Sequence, residues 1–146
     1  MDTFTKSEDE TKSRAKELVE FLESEKVTGG ATIVALNGEL GAGKTIFTQG
    51  IAEAFSIDEK ITSPTFVIEK IYKIKRNVPW THLVHIDAYR LDTETELLSL
   101  GWHDLVGKPE NFIVLEWSER VPNLLPKTAR RVALQFIDET TRKITW

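Results

Sequence analysis

With 146 residues, of which 40% are hydrophobic and 29% charged, the chain is long enough to bury one core, and it predicts a single domain over residues 1–146. It contains no cysteine, which excludes disulfides and thiolate metal sites. A net charge of −4 argues against nonspecific nucleic-acid binding by the surface as a whole. No apolar run approaches membrane-spanning length, and the start Met1-Asp2-Thr3-Phe4-Thr5-Lys6 lacks a signal-peptide core, so a cytoplasmic protein with no membrane association is expected.

In chain order, Ser7 and Glu10 have capping-box spacing, and Ala15, Leu18, Val19 and Leu22 follow as one apolar stripe; together they predict a helix ending before Gly29-Gly30. Residues 31–36, A-T-I-V-A-L, predict a buried strand. After a glycine-rich loop, Phe47, Ile51 and Ala54 recur at helical spacing, predicting a helix to about Phe55. Residues 65–74 predict a strand, Arg76-Asn77-Val78-Pro79 a turn, and residues 80–86 the returning partner strand. Thr93 and Glu96 repeat the capping-box spacing for a short helix through Leu97, Leu98 and Leu100 that stops at Gly101. Residues 112–115 and 131–137 predict two more strands, and residues 143–146 a final edge strand. The expected architecture is α/β: a P-loop NTPase-like three-layer fold with a central mixed β-sheet flanked by helices.

The glycine-rich loop, residues 38–45, reads G-E-L-G-A-G-K-T and matches the phosphate-binding pattern G-x-x-x-x-G-K-[ST]. A triphosphate is densely anionic, and glycines let backbone N–H groups wrap it closely while the first turn of the following helix adds its own donors. The expected nucleotide-binding residues are Gly41, Ala42, Gly43, Lys44, Thr45 and Ile46. Lys44 offers a mobile charge for the β- and γ-phosphates, and the Thr45 hydroxyl can ligate Mg²⁺. A glycine-rich turn that holds nothing is the bland alternative; the flanking strand and helix, in the order the chemistry requires, weigh against it.

Such a site needs acidic company, because Mg²⁺ takes oxygen ligands and an attacking group needs orienting. Asp87 follows L-V-H-I and Glu116 follows F-I-V-L, so each carboxylate is expected where a buried strand emerges at its C-terminal end, the edge at which open α/β sheets bind ligands. Either could instead cap a neighbouring loop. Ser63-Pro64-Thr65 offers two hydroxyls on a conformationally restricted loop that could sense a γ-phosphate, or could simply turn into a strand. His82, His85 and His103 lack metal-ligand spacing.

G-E-L-G-A-G-K-T, Ser63-Pro64-Thr65, the H-I-D-A-Y-R-L stretch at residues 85–91 and Leu115-Glu116-Trp117 occur in the order and at about the spacing of the TsaE family, which the chain resembles over nearly its whole length. The resemblance implies a bacterial ATPase needed for threonylcarbamoyladenosine in tRNA, using ATP and Mg²⁺. It would be weak alone and act with TsaB and TsaD, resetting that complex while TsaD transfers the threonylcarbamoyl group; tRNA is then met through the complex. Position by position, Lys44 matches the family's phosphate-binding lysine and Thr45 and Glu116 its Mg²⁺ ligands. Asp87 matches the aspartate needed for activity, Ser63 to Thr65 the switch-like loop, and Trp117 a neighbour of the metal site. Glu10 and Thr11 match a segment near the adenine. Ser118 departs from the proline of many relatives, which is expected to loosen that turn.

The mechanism these residues support is attack of water on the γ-phosphorus, with Lys44, Asp87 and Glu116 as catalytic residues. No arginine is an obvious finger; Arg90 is a candidate, and a structural ion pair serves equally for it. The alternative is a small-molecule or nucleotide kinase in which Asp87 is the substrate-hydroxyl base; Arg130-Arg131 could contribute to its second pocket, yet they precede a strand and read more simply as solvated charges. A third reading is a nucleotide-gated assembly module for which binding suffices. Absence of an N/T-K-x-D element after the loop favours ATP over GTP. Lys70, Lys73, Lys75 and Arg76 form either a partner-facing patch or a solvated hairpin that protects a sheet edge.

Overall fold

Apolar, β-branched segments build the middle of a seven-stranded sheet in a computed structural model that describes residues 1–25, 29–61 and 69–146. The strands are β1 (Asp2–Thr5), β2 (Thr32–Asn37), β3 (Glu69–Lys73), β4 (His82–Asp87), β5 (Asn111–Glu116), β6 (Arg130–Phe136) and β7 (Arg142–Thr145). Their spatial order is β1-β7-β6-β2-β5-β4-β3. β4, β5, β2 and β6 run parallel, and β3 and β7 add antiparallel margins. A parallel strand inside such a sheet is covered on both faces, which is why β2 and β5 read as continuous apolar runs without alternation.

Two helices cover one face: α1 (Glu8–Glu25) and α2 (Lys44–Ala54). Ala15, Leu18, Val19 and Leu22 of α1, with Phe47 and Ile51 of α2, join Val34, Leu36, Phe112 and Val114 in one core. Phe55, Trp80 and Phe112 meet edge to face with ring centroids 4.9–5.7 Å apart, an arrangement that suits the ring quadrupoles. The Trp80 indole donates to the Thr32 hydroxyl at 2.9 Å, so its polar end is satisfied although buried. α1 and α2 cross where Gly50 has no side chain. A Cβ there would lie 2.7 Å from the Lys12 Cα and 2.8 Å from the Ala15 Cβ.

The other face is covered by two short helices, α3 (Glu94–Ser99) and α4 (Trp102–Val106), and by 3-10 turns at Ser118–Arg120 and Pro122–Leu124. Ile33, Val84, Ile86, Ile113 and Leu115 point to that side and pack on Leu97, Trp102 and Val121. The result is the expected three-layer P-loop fold. Among the described residues, no helix is long and apolar enough to cross a membrane.

Ser7 caps α1 by accepting the Glu10 N–H at 3.1 Å, while the Glu10 carboxylate reaches back to the Lys6 N–H, one residue before the position a capping box requires. At α3 the Glu96 carboxylate likewise accepts the Asp92 N–H, but the Thr93 hydroxyl makes no cap bond. The segment expected to be the last edge strand is interior. β7 lies between β6 and β1, because β1, at the start of the chain, pairs with it in the register Phe4↔Lys143 and forms the true edge. The expected strand at residues 65–74 is described only from Glu69, where β3 begins, and Ser63-Pro64-Thr65 lies outside the described residues. The predicted strand at residues 80–86 starts later, at His82, and includes Asp87. The predicted strand at residues 131–137 lies one residue earlier, at Arg130–Phe136.

Candidate functional site

Parallel strands bring their C-terminal ends to one edge, and the register there is direct: Leu36 of β2 pairs with Glu116 of β5, which pairs with Asp87 of β4. Because side chains alternate along a strand, Glu116 shares the face of Phe112 and Val114, and Asp87 that of Leu83. That is the face covered by α2, so both carboxylates come to the side on which the loop after β2 turns into its helix.

In that loop, Gly43 takes a left-handed conformation (φ 102°) as the residue before α2, a conformation that glycine adopts without steric cost. An α-helix leaves its first-turn N–H groups without intrahelical partners, so Lys44, Thr45 and Ile46 present donors and a dipole end at this point. Leu40 to Ile46 line a cavity of about 250 Å³ together with Glu116, Trp117 and Arg142. Lys44 is 6% exposed. Its ammonium donates to the Gly38 and Glu39 carbonyls and sits 3.9 Å from the Trp117 ring centroid, a cation–π contact. Burial pulls its pKa below the usual lysine value, against the opposing pull of Glu116, Glu119, Asp87 and Glu39.

Asp87 is 8% exposed, and one of its oxygens accepts the Tyr89 N–H at 2.9 Å. The loop-capping interaction is therefore real, and it leaves the second oxygen for other work. Burial raises the Asp87 pKa above the usual aspartate value; the Tyr89 N–H opposes this, and the nearby Glu116 charge adds to it. Glu116 is 2% exposed, and its Oε2 meets His85 Nε2.

Trp117 is a non-glycine residue at positive φ (59°), which carries a modest backbone cost. Its ring, set between Lys44 and Tyr89, offsets that cost; the Tyr89 centroid is 4.9 Å away. Ser118 does not loosen the turn: it is buried, and its hydroxyl donates to the Leu36 carbonyl at 3.2 Å, tying the end of β5 to the end of β2.

Two features join residues that no local sequence pattern connects. Arg142 donates to the Gly41 carbonyl at 3.1 Å and to the Asp138 carbonyl at 2.7 Å, and its guanidinium lies 4.6 Å from the Phe136 ring centroid. It thus braces the glycine-rich loop from β7, a contact across 101 positions that no local pattern announces. Second, Lys6, Ser7, Thr11, Gly43, Ile46, Thr140 and Arg142 help line a further cavity of about 270 Å³ beside the loop. Thr11, singled out in the sequence, lies in it; Glu10 is occupied with the α1 cap. Arg130 and Arg131 are at the start of β6, away from the strand C-terminal ends, and Arg130 packs over Phe21 at 4.9 Å.

The donors present suit the groups the sequence implies. Thr45 and Glu116, both of which carry oxygen donors, line one cavity, and among the described residues no cluster of three or more His, Asp or Glu could cage a metal. That is the habit of Mg²⁺, which is held by one or two protein oxygens with phosphates and waters completing its shell.

A central parallel sheet whose strand leads through G-E-L-G-A-G-K-T into a helix defines a protein of the P-loop class. The family model for "Threonylcarbamoyl adenosine biosynthesis protein TsaE" matches residues 5–144. The chain belongs to the TsaE family. Its similarity to the tRNA threonylcarbamoyladenosine biosynthesis protein TsaE of Nostoc sp. is 40% identity over 84% of this chain and 74% of that one. The Rickettsia bellii and Bacillus subtilis proteins of the same name are 36% and 32% identical, over 96% and 97% of this chain and 90% and 82% of theirs. The crystal structure of Bacillus subtilis YdiB superimposes with a TM-score of 0.71 at 26% identity, covering 99% of this chain and 82% of that one.

Proposed function

We propose that this chain, acting as one domain over residues 1–146, is a Mg²⁺-dependent ATPase that serves tRNA threonylcarbamoyladenosine formation, the process for which its relatives are named. The observation that carries the reading is the convergence of Lys44, Thr45 and Glu116 on one cavity at the strand C-terminal edge. Gly41 to Ile46 would receive the phosphates through backbone N–H groups. The cavity beside Thr11 and Arg142 would take the base and ribose. On nucleotide binding, Lys44 exchanges the Gly38 and Glu39 carbonyls and the Trp117 face for phosphate oxygens, a stronger partner for an ammonium. Thr45 and Glu116 would hold Mg²⁺, which when bound supplies charge neutralisation on the transferring phosphoryl group. Asp87, held by Tyr89 through one oxygen, has the other to orient water.

Lys44 and the loop N–H groups stabilise developing charge. Arg130 and Arg131, the arginines a kinase reading would use, start β6 away from the loop, and Arg130 is engaged with Phe21, which favours hydrolysis over a kinase reaction. The partners in this reading are TsaB and TsaD, with tRNA met through their complex, in the cytoplasm. ATP hydrolysis by the chain alone and with TsaB, TsaD and tRNA tests it. A slow basal rate that rises in the assembly is expected; full rates alone with no response to the assembly would sink the partner-dependent reading. Transfer of labelled phosphate to a metabolite with little free phosphate released would point instead to the kinase.

A further inference from the structure

His85 is a buried ionisable side chain that the proposed mechanism does not use. It is 1% exposed, sits on β4 two residues before Asp87, and brings its Nε2 against Oε2 of Glu116, itself 2% exposed. The hydrogen of this contact is assigned to Nε2, which makes the imidazole the donor and the carboxylate oxygen the acceptor. Resting on the proposed Mg²⁺–ATP reading, we infer that His85 is a positioning residue: it fixes the Glu116 carboxylate so that Oε2 is engaged in the core and Oε1 is left for the metal side of the cavity shared with Thr45.

One general consideration and two observations support this. Glutamate has more rotatable bonds than aspartate, and a ligand on so long a side chain is useful only if something removes its freedom. The backbone at Glu116 is fixed as well: its carbonyl accepts the Ala88 N–H at 3.0 Å, which binds the β5 end to the β4 end. His85 acts from the strand that carries Asp87, so one donor sets the spacing of the two carboxylates across the Asp87↔Glu116 register. Hydrogen-bond donors behind a metal-ligating carboxylate tune and orient it, and their loss commonly weakens metal affinity by about 10–100-fold.

The test uses the full chain with a fluorescent, non-hydrolysable ATP analogue, titrated with MgCl₂ and, separately, in EDTA. His85→Leu is expected to raise the half-saturating Mg²⁺ concentration by about 10-fold or more, while affinity in EDTA stays within about 2-fold of wild type. His85→Gln, whose amide can donate from a similar position, is expected to recover most of the loss. With Mn²⁺ as a spin probe, the bound-ion spectrum should broaden in the Leu variant and return towards wild type in the Gln variant. An unchanged Mg²⁺ requirement in His85→Leu overturns the inference while leaving the ATPase reading intact. So does equal loss of affinity in EDTA with no recovery by Gln, which marks a packing role alone. Wild-type binding that ignores Mg²⁺ altogether would overturn the functional reading and this inference with it.

Discussion

Lys44 is held in a place that opposes its charge, since burial lowers its pKa from the usual 10.5 even with several carboxylates nearby. Such tension is common where binding function competes with stability. Lys44→Ala is therefore expected to cut ATP turnover by about 10²–10³-fold, the usual cost of losing a donor that stabilises transition-state charge. The melting temperature of the nucleotide-free variant should hold or rise; a fall of many degrees would mean that the Gly38 and Glu39 contacts outweigh the burial of charge. Asp138 presents the opposite case. It is fully exposed, and its Oδ1 accepts the N–H groups of Thr140 and Thr141, which lower its pKa beneath the usual 3.8. A depressed folded-state pKa stabilises the fold above the unfolded value, and the contribution disappears as pH falls through the folded one. Compared by urea midpoint, wild type should exceed Asp138→Ala at pH 7, and the gap should close as pH drops below the usual aspartate value. A gap independent of pH would exclude the charge as its source. The same turn supplies the Asp138 carbonyl that receives Arg142, so loosening it also slackens the brace on Gly41.

Between elements, the α1–α2 crossing depends on a missing side chain. With Lys12 Cα, Lys12 carbonyl and Ala15 Cβ all within 2.8 Å of where a Cβ would stand, backbone must move to admit one. Gly50→Ala is expected to destabilise by about 1–3 kcal/mol despite alanine's better helix propensity, measured as a urea-midpoint shift at constant m-value. A neutral or stabilising result would show that the helices can slide apart freely. The stripe Ala15, Leu18, Val19 and Leu22 foretold which face of α1 is buried, because a regular period is a local signal. Gly50 carried no such signal, since only the partner helix makes it necessary. β1 was illegible for a related reason: its four residues, D-T-F-T, have the burial of an edge and become a strand only because β7 is there to pair. α4 is five residues long, too short to set up a period. At the site, Lys44, Thr45, Asp87 and Glu116 were readable because strand-end chemistry is ordered along the chain. Arg142 and the His85–Glu116 contact were not, since each depends on strands adjacent only in the folded sheet.

The molecule's charge distribution depends on the whole fold in the same way. Of the basic group Lys70, Lys73, Lys75 and Arg76, Arg76 meets Glu23 at 3.3 Å and the Ala54 carbonyl at 3.1 Å, Lys75 meets Asp58 at 3.5 Å, and Lys70 lies 5.0 Å from the Tyr72 ring centroid. Carboxylates brought from α1 and from the loop after α2 partly neutralise what reads in sequence as a patch, and the net charge stays at −4. Against that acidic background, a nucleotide would find its attraction concentrated at Lys44 and the N-terminus of α2. These lie on the element that links β2 to the α1-covered core, so occupancy of the loop should be felt in global unfolding. A ligand bound only by the folded state at 100 times its Kd adds about 2.7 kcal/mol, which for a chain of this size corresponds to a rise in Tm of about 5–10 °C. A non-hydrolysable ATP analogue with Mg²⁺ is expected to give that rise in a calorimetric scan, and EDTA should remove part of it if Thr45 and Glu116 share the ion as proposed. GTP should give a smaller rise at equal concentration. No shift at millimolar nucleotide with Mg²⁺ would exclude the loop as a nucleotide site in the isolated chain, and a full shift in EDTA would leave the protein donors bound to phosphate alone.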